Sequence, residues 1–251
     1  MSPKLQRLLF YLALFALWFW IASMKFWPSY LFPSPKNVLD TLHQGFADHT
    51  FQIGIGRSLQ RIAIGYGLSA LIGIPLGLLT ARVRWLDHTL GSFVVGLQTL
   101  PSICWLPAAL LWFGLSDGAI LFVVVMGSTL AISIGTDDAV KNLPPIYVKA
   151  ARTMGVQGFR LYKEVVFPAA LPGIISALKQ GWSFAWRSLM AGELLFVSPG
   201  LGHLLQMGRD LNDISMVAAV MVVIMALGWS VDRFVFSATE ERIRQRRGMQ
   251  A

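Results

Sequence analysis

Three features of the sequence predict an all-α integral membrane protein with six spanning helices. The 251 residues are 55% hydrophobic with a mean hydropathy of +0.59, too apolar for an ordinary soluble domain. Several apolar runs approach the about 20 residues that cross a bilayer as a helix. The basic residues stand at the ends of those runs, far more of them on one side than on the other.

The first span reads from Leu8 to Met24, preceded by Lys4 and Arg7 and carrying Trp18 and Trp20 near its far end. A signal peptide competes for this stretch, but aromatic bulk replaces the small-residue cleavage pattern and more spans follow. Trp27 and Tyr30 mark the outer interface, and Pro28, Pro33 and Pro35 interrupt any helix. Ser34 and Pro35 open a short amphipathic helix with Val38, Leu39, Leu42 and Phe46 on one face, suited to the outer membrane surface.

The second span runs from about Gln52 to Ala81. Gly65, Ser69, Gly73 and Gly77 recur every four positions, a small-residue ridge that lets another helix approach closely. Arg57 and Arg61 fall near its outer end, where they either snorkel to the interface or face protein. After an inner turn with Arg82 and Arg84, a third span from about Leu86 to Phe113 is interrupted by Pro101 and Pro107. A broken helix at membrane depth needs protein or a water-filled cavity to satisfy its freed carbonyls. Gln98, Thr99 and Ser102 gather there, which makes the break either part of a translocation path or a packing kink. Cys104, between the two prolines, reads as a buried small apolar residue.

Gly114 to Gly118 form a tight outer turn, and a fourth span, Ala119 to about Thr136, returns inward. Asp137 and Asp138 begin an inner loop over residues 137–170. A fifth span from Leu171 to about Phe196 carries Lys179, Arg187 and Glu193, with Arg187 roughly 24 Å along it, in the outer half. An ionisable group inside a membrane helix is costly, so Arg187 either meets an anionic substrate or is an interface anchor or structural partner. An outer segment, Leu201 to Asn212, precedes a sixth span from about Ile214 to Phe236. Arg242, Arg244, Arg246 and Arg247 close the chain. With both ends inside, inner segments carry 14 of the 21 Lys and Arg, while Lys25, Lys36, Arg57, Arg61 and Arg209 lie outside and Lys179 and Arg187 in the membrane. The sequence reads as one membrane domain, residues 1–251, with a core of about 50–236.

The inner loop has a shape of its own. Gly155 separates two amphipathic segments, Ala150, Ala151 and Met154 giving the first a small face and Phe159, Tyr162, Val166 and Phe167 giving the second an apolar one. A glycine there can adopt positive φ and turn one helix into the next. Pro168 and Pro172 are expected to restart the chain before the fifth span.

Lys149-Ala150-Ala151, three residues, Gly155, nine residues, then Val165-x-Phe167-Pro168 resembles the loop E-A-A-x3-G-x9-I-x-L-P of the permease subunits of ATP-binding cassette (ABC) importers. Lys149 stands where that family usually has Glu, reversing a charge, while Val165 and Phe167 replace Ile and Leu. A second stretch, Leu100 to Pro107 followed by Leu111-Trp112-Phe113-Gly114, resembles the branch that imports taurine, alkyl sulfonates, nitrate and related anions. The similarity covers about Pro33 to Arg233. It implies a type I importer permease fold in the bacterial inner membrane, a homodimer, two ATPase subunits and an extracytoplasmic binding protein. It also implies a coupling helix docking on the ATPase, with Lys149, Ala150, Ala151, Arg152, Gly155, Phe159 and Pro168 at that contact. Gln98, Thr99, Ser102 and Arg187 are then the candidates for the translocation path.

No catalytic motif is present. No Lys follows a Gly, so the G-x-x-x-x-G-K-[ST] phosphate cradle is absent, and ATP with magnesium is expected on the partner, this chain binding no cofactor. His43, His49, His88 and His203 lack metal-ligand spacing, and a single Cys offers no pair. The net charge of +8 is accounted for by the ends of the spans rather than by a nucleic-acid surface. The alternative, a self-sufficient secondary transporter or channel, predicts mid-membrane carboxylates or inverted repeats. Neither is evident, and such a protein has no need of a structured basic loop.

Overall fold

A computed structural model describes residues 3–24, 26, 28, 31–196 and 198–241. All regular structure among them is helical. Trp27, Tyr30 and the arginines from Arg242 to Arg247 lie outside the described residues. Ten helices follow in order: α1 Pro3–Ser23, α2 Pro35–Ala47, α3 Thr50–Arg82, α4 Arg84–Gln98, α5 Ser102–Phe113, α6 Asp117–Lys141, α7 Pro145–Thr153, α8 Gly158–Leu195, α9 Leu201–Asp210 and α10 Ile214–Glu241. Five are long and apolar enough to cross a membrane, and the bent pair α4 and α5 makes a sixth if taken as one broken span.

The chain divides into two compact units, residues 1–58 with 193–226, and residues 59–192 with 227–251. In the first, Ser34 caps α2 by accepting the Asn37 N–H at 3.2 Å, with Pro35 at the first helical position. Val38 is buried, but Leu39 and Phe46 are exposed, so the expected apolar face of α2 is only partly covered. α9 buries Leu201, Gly202, Leu204 and Gly208, and Leu204 packs over Gly54.

In the second unit the ridge on α3 is the organising contact. Gly65 faces Val124, the Ser128 hydroxyl donates to Ser69 Oγ at 2.6 Å, Gly73 faces Ile132, and Gly77 lies against the Ser133 carbonyl and Thr136. The small residues are therefore spent on α6 of the same chain. The other side of α6 receives α8, with Gly181 against Ile132, Gly135 against Ala177 and Gly173 against Ala139. Without a hydrophobic drive between helices in lipid, this close backbone approach is what holds three spans together.

Three expected boundaries are corrected. α6 does not end at Thr136 but continues through Asp137 and Asp138, because Lys141 Nζ pairs with Asp137 one turn back at 2.7 Å and with Asp87 at 2.6 Å. Pro168 and Pro172 do not restart the chain. α8 runs through both, with a wider, π-type turn over Tyr162–Val166 just before Pro168, where the regular hydrogen-bond ladder is already interrupted. Pro107 does not break the third span, since it sits in the first turn of Leu106–Phe113, where no N–H is needed.

Candidate functional site

Two regions of the second unit carry the residues singled out from sequence. The first is the turn between α7 and α8. Gly155 has φ 81°, its N–H donates to the Arg152 carbonyl and the Val156 N–H to the Ala151 carbonyl, both at 3.0 Å. This pair of bonds closes a helix whose following residue is left-handed, and Gly155 takes it without strain. Gly158, φ 63°, starts α8 and was not foreseen.

Ala151, Leu161 and Val166 form a small core, with Val140, Leu143, Val148, Val156, Tyr162 and Val165 around it. The loop is thus a folded element. Among the expected coupling residues Ala151 alone faces inward, while Lys149, Ala150, Arg152, Gly155, Phe159 and Pro168 are exposed. The predicted apolar face of the second segment is corrected: Phe159 and Phe167 point outward, and Leu161 and Val166, five apart, point inward. The π-type turn accounts for this, since its period exceeds 3.6 residues. Ile146, Tyr147, Met154 and Phe159 are exposed beside Lys149 and Arg152, a mixed apolar and basic surface. Arg82 stacks on the Tyr162 ring at 4.6 Å and ties the start of α8 to the end of α3.

The second region is the break between α4 and α5, whose axes differ by 101°. Pro101 lies in extended backbone (φ −54°, ψ 137°), and Thr99 Oγ1 donates to the Gly96 carbonyl at 2.7 Å. Gln98, Thr99 and Ser102 come together on a cavity of about 130 Å³ that Trp105, Gly127 and Phe184 help to line. Arg187 is not on its wall. It is exposed, its Nε donates to the Ser183 carbonyl at 3.1 Å, and its guanidinium lies 4.5 Å from the centre of the Phe184 ring. Cys104 is exposed, contrary to expectation, because the tight turn after Pro101 points it away from the cavity wall.

Arg61 faces protein, pairing with Asp117 at 2.8 Å, while Arg57 is exposed. Lys179 pairs with Asp232 of α10 at 2.9 Å. One arrangement in the first unit was missed. Glu193 is fully buried, and the Ser58 hydroxyl donates to its carboxylate at 2.7 Å and the Gly202 N–H at 2.9 Å. Ser58 Oγ in turn accepts the Leu201 N–H at 2.9 Å, at the start of α9. The run Ser198-Pro199-Gly200-Leu201-Gly202 was the available signal, since Gly200 and Gly202 pack directly on Glu193.

The family model described as the binding-protein-dependent transport system inner membrane component matches residues 73–244. The chain belongs to this family. The nitrate import permease protein NrtB of Synechocystis is 27% identical to this permease over 212 residues, covering 81% of the permease and 77% of NrtB. The taurine transport system permease protein TauC of Escherichia coli is 25% identical over 224 residues, covering 87% and 82%. Among solved structures, a chain of the MetNI methionine ABC transporter in an inward-facing conformation matches with a TM-score of 0.70 at 19% identity, covering 77% of the permease and 96% of that chain. The permease therefore has the helical fold of an ABC importer's membrane subunit and is a multi-pass component of such a transporter.

Proposed function

We propose that this permease forms the translocation path for a small anion, nitrate, taurine or another aliphatic sulfonate, as half of a homodimer in the bacterial inner membrane. A separate extracytoplasmic protein delivers the anion, and two ATPase subunits, which hold the ATP and magnesium, drive its passage. Both termini lie on the cytoplasmic side, in keeping with the excess of Lys and Arg in the segments assigned there.

The observation that carries this reading is the folded turn around Gly155. A surface loop that builds its own core and still exposes Ile146, Tyr147, Met154 and Phe159 beside Lys149 and Arg152 has the mixed character of a docking surface. Lys149, Ala150, Arg152, Gly155, Phe159 and Pro168 are its contact residues, with Ala151 holding the turn from beneath. The names of the nitrate and taurine relatives support the substrate class. Gln98, Thr99 and Ser102 line the path at the helix break, and Arg187 attracts the anion toward it, its fixed charge shared with the Phe184 ring.

The test is to purify the permease with its ATPase in a bilayer and add the binding protein with nitrate or taurine. ATP hydrolysis is expected to rise with one of the two. Uptake of either anion by the permease alone, without an ATPase, would overturn the reading.

A further inference from the structure

The last turns of α3 and the first turns of α8 enclose a groove of about 290 Å³. Its walls are apolar, Leu78 and Leu79 from α3 and Phe159 and Phe167 from α8. Leu79, Phe159 and Phe167 are exposed, and Phe167 is not among the residues of the docking surface around Gly155. An apolar cleft left open in water is unfavourable, whereas at the end of two spanning helices it lies against hydrocarbon. Trp85, three residues past Arg82, is also exposed, as expected of an indole at the level of the headgroups.

The polar groups of the lining are Arg82, Tyr162 and Lys163, each with an N–H or O–H to donate. The Arg82 guanidinium lies over the Tyr162 ring at 4.6 Å, which occupies its face and leaves the N–H fork at its edge for an anion. Among the described residues no carboxylate lines the groove, and neither Arg82 nor Lys163 has an ion-pair partner. Glu164, next to Lys163, is held by Arg160 at 2.9 Å. Lys141 and Lys179, by contrast, are each paired with an Asp.

We propose that this groove binds an anionic phospholipid of the leaflet at this end of the spans. Its phosphate accepts hydrogen bonds from Arg82, Lys163 and the Tyr162 hydroxyl, and the first part of an acyl chain runs along the leucine and phenylalanine walls. A free phosphate would match the cations alone; a phospholipid matches both the cations and the walls. The lipid adds a second tie between α3 and α8, beside the stack of Arg82 on Tyr162. The sidedness proposed above makes this the inner leaflet, and the binding itself does not depend on it.

The purified permease, alone and with its ATPase, is stripped of lipid in detergent and titrated with dioleoyl phosphatidylglycerol or dioleoyl phosphatidylcholine. Bound lipid is read by native mass spectrometry, together with the unfolding midpoint. Phosphatidylglycerol is expected to bind about 25-fold more tightly, about fivefold for each cation, and to raise the midpoint. Lys163→Gln and Arg82→Gln should each weaken it about fivefold and leave phosphatidylcholine unchanged. Equal affinity for the two lipids, or an unchanged phosphatidylglycerol affinity in both variants, would overturn the site. Three further results would overturn it by naming another occupant. Displacement of the lipid by millimolar glycerol phosphate would assign the groove to a free phosphate ester, and loss of the lipid when the ATPase is present would assign it to the docking surface. A disulfide between two copies through Lys163→Cys, in a Cys104→Ser background, would put a second copy there. Should Arg82→Gln, which also loses the stack, fail to fold, the exposed Lys163 decides the outcome. The titration of the permease alone needs neither ATPase nor substrate, so it reads the lipid whether or not the transport reading holds.

Discussion

Replacing Gly155 separates two reasons for a glycine at the turn. Its φ of 81° is one that side-chain-bearing residues avoid, and a Cβ built there meets nothing within 4 Å in this chain. The whole cost inside the permease is therefore conformational, about 1–2 kcal/mol for an ordinary residue and more for a β-branched one. Asn visits this region routinely and should recover most of that cost. A shift of about 1.4 kcal/mol changes the population of the closed turn tenfold, enough to misplace Lys149 and Arg152 relative to Phe159 without unfolding the spans. The assay compares Gly155→Val with Gly155→Asn, measuring thermal unfolding of the purified permease and ATP-driven uptake in the reconstituted complex. Val should impair uptake severely with little change in unfolding of the spans, and Asn should be close to the parent. Equal damage from both would refute the conformational argument and point instead to a partner surface lying too close for any side chain, while a harmless Val would remove the turn from the mechanism.

Gly77→Ala places a Cβ against the Ser133 carbonyl and 2.7 Å from Thr136 Cβ, so it should destabilise by about 1–3 kcal/mol. Gly67→Ala, with open space around it, should not lower the unfolding midpoint, and equal effects would show that the ridge is not tightly packed. Glu193→Gln replaces one acceptor oxygen by a donor against Ser58 and Gly202, which should cost about 1–3 kcal/mol, read as a lower unfolding midpoint; an unchanged midpoint would argue against the network. Arg187→Gln should lower uptake in proteoliposomes while anion capture by the isolated binding protein stays normal, and Arg187→Lys should do less harm; normal uptake by Arg187→Gln would make Arg187 an interface anchor.

What the sequence made legible were features that local spacing encodes. The spans follow from run length, the turn from a glycine between two amphipathic stretches, the break from Pro101, and the ridge from a small residue every fourth position. What stayed hidden depends on contacts between distant positions. Glu193 and Ser58 are 135 residues apart, and Arg61 and Asp117 are 56 apart; no periodicity links them. The outward turn of Phe159 and Phe167 was misread because a period of 3.6 was applied across a stretch that winds more widely. Pro168 misled for a related reason, as it follows directly on a turn whose hydrogen-bond ladder is already disturbed and accepts a residue that an ideal one would reject.

The continuity of α8 makes it a lever. It begins at Gly158, just past the turn, and Phe184 on the cavity wall lies 26 residues further on, about 39 Å along the axis. A tilt of about 5° at the Gly158 end would swing the Phe184 end through about 3 Å. That is the length of a hydrogen bond, so it would move Phe184 toward or away from the Gln98, Thr99 and Ser102 side of the cavity. A push on the surface around Gly155, far too small to repack the permease, would then be enough to reshape the cavity at the helix break.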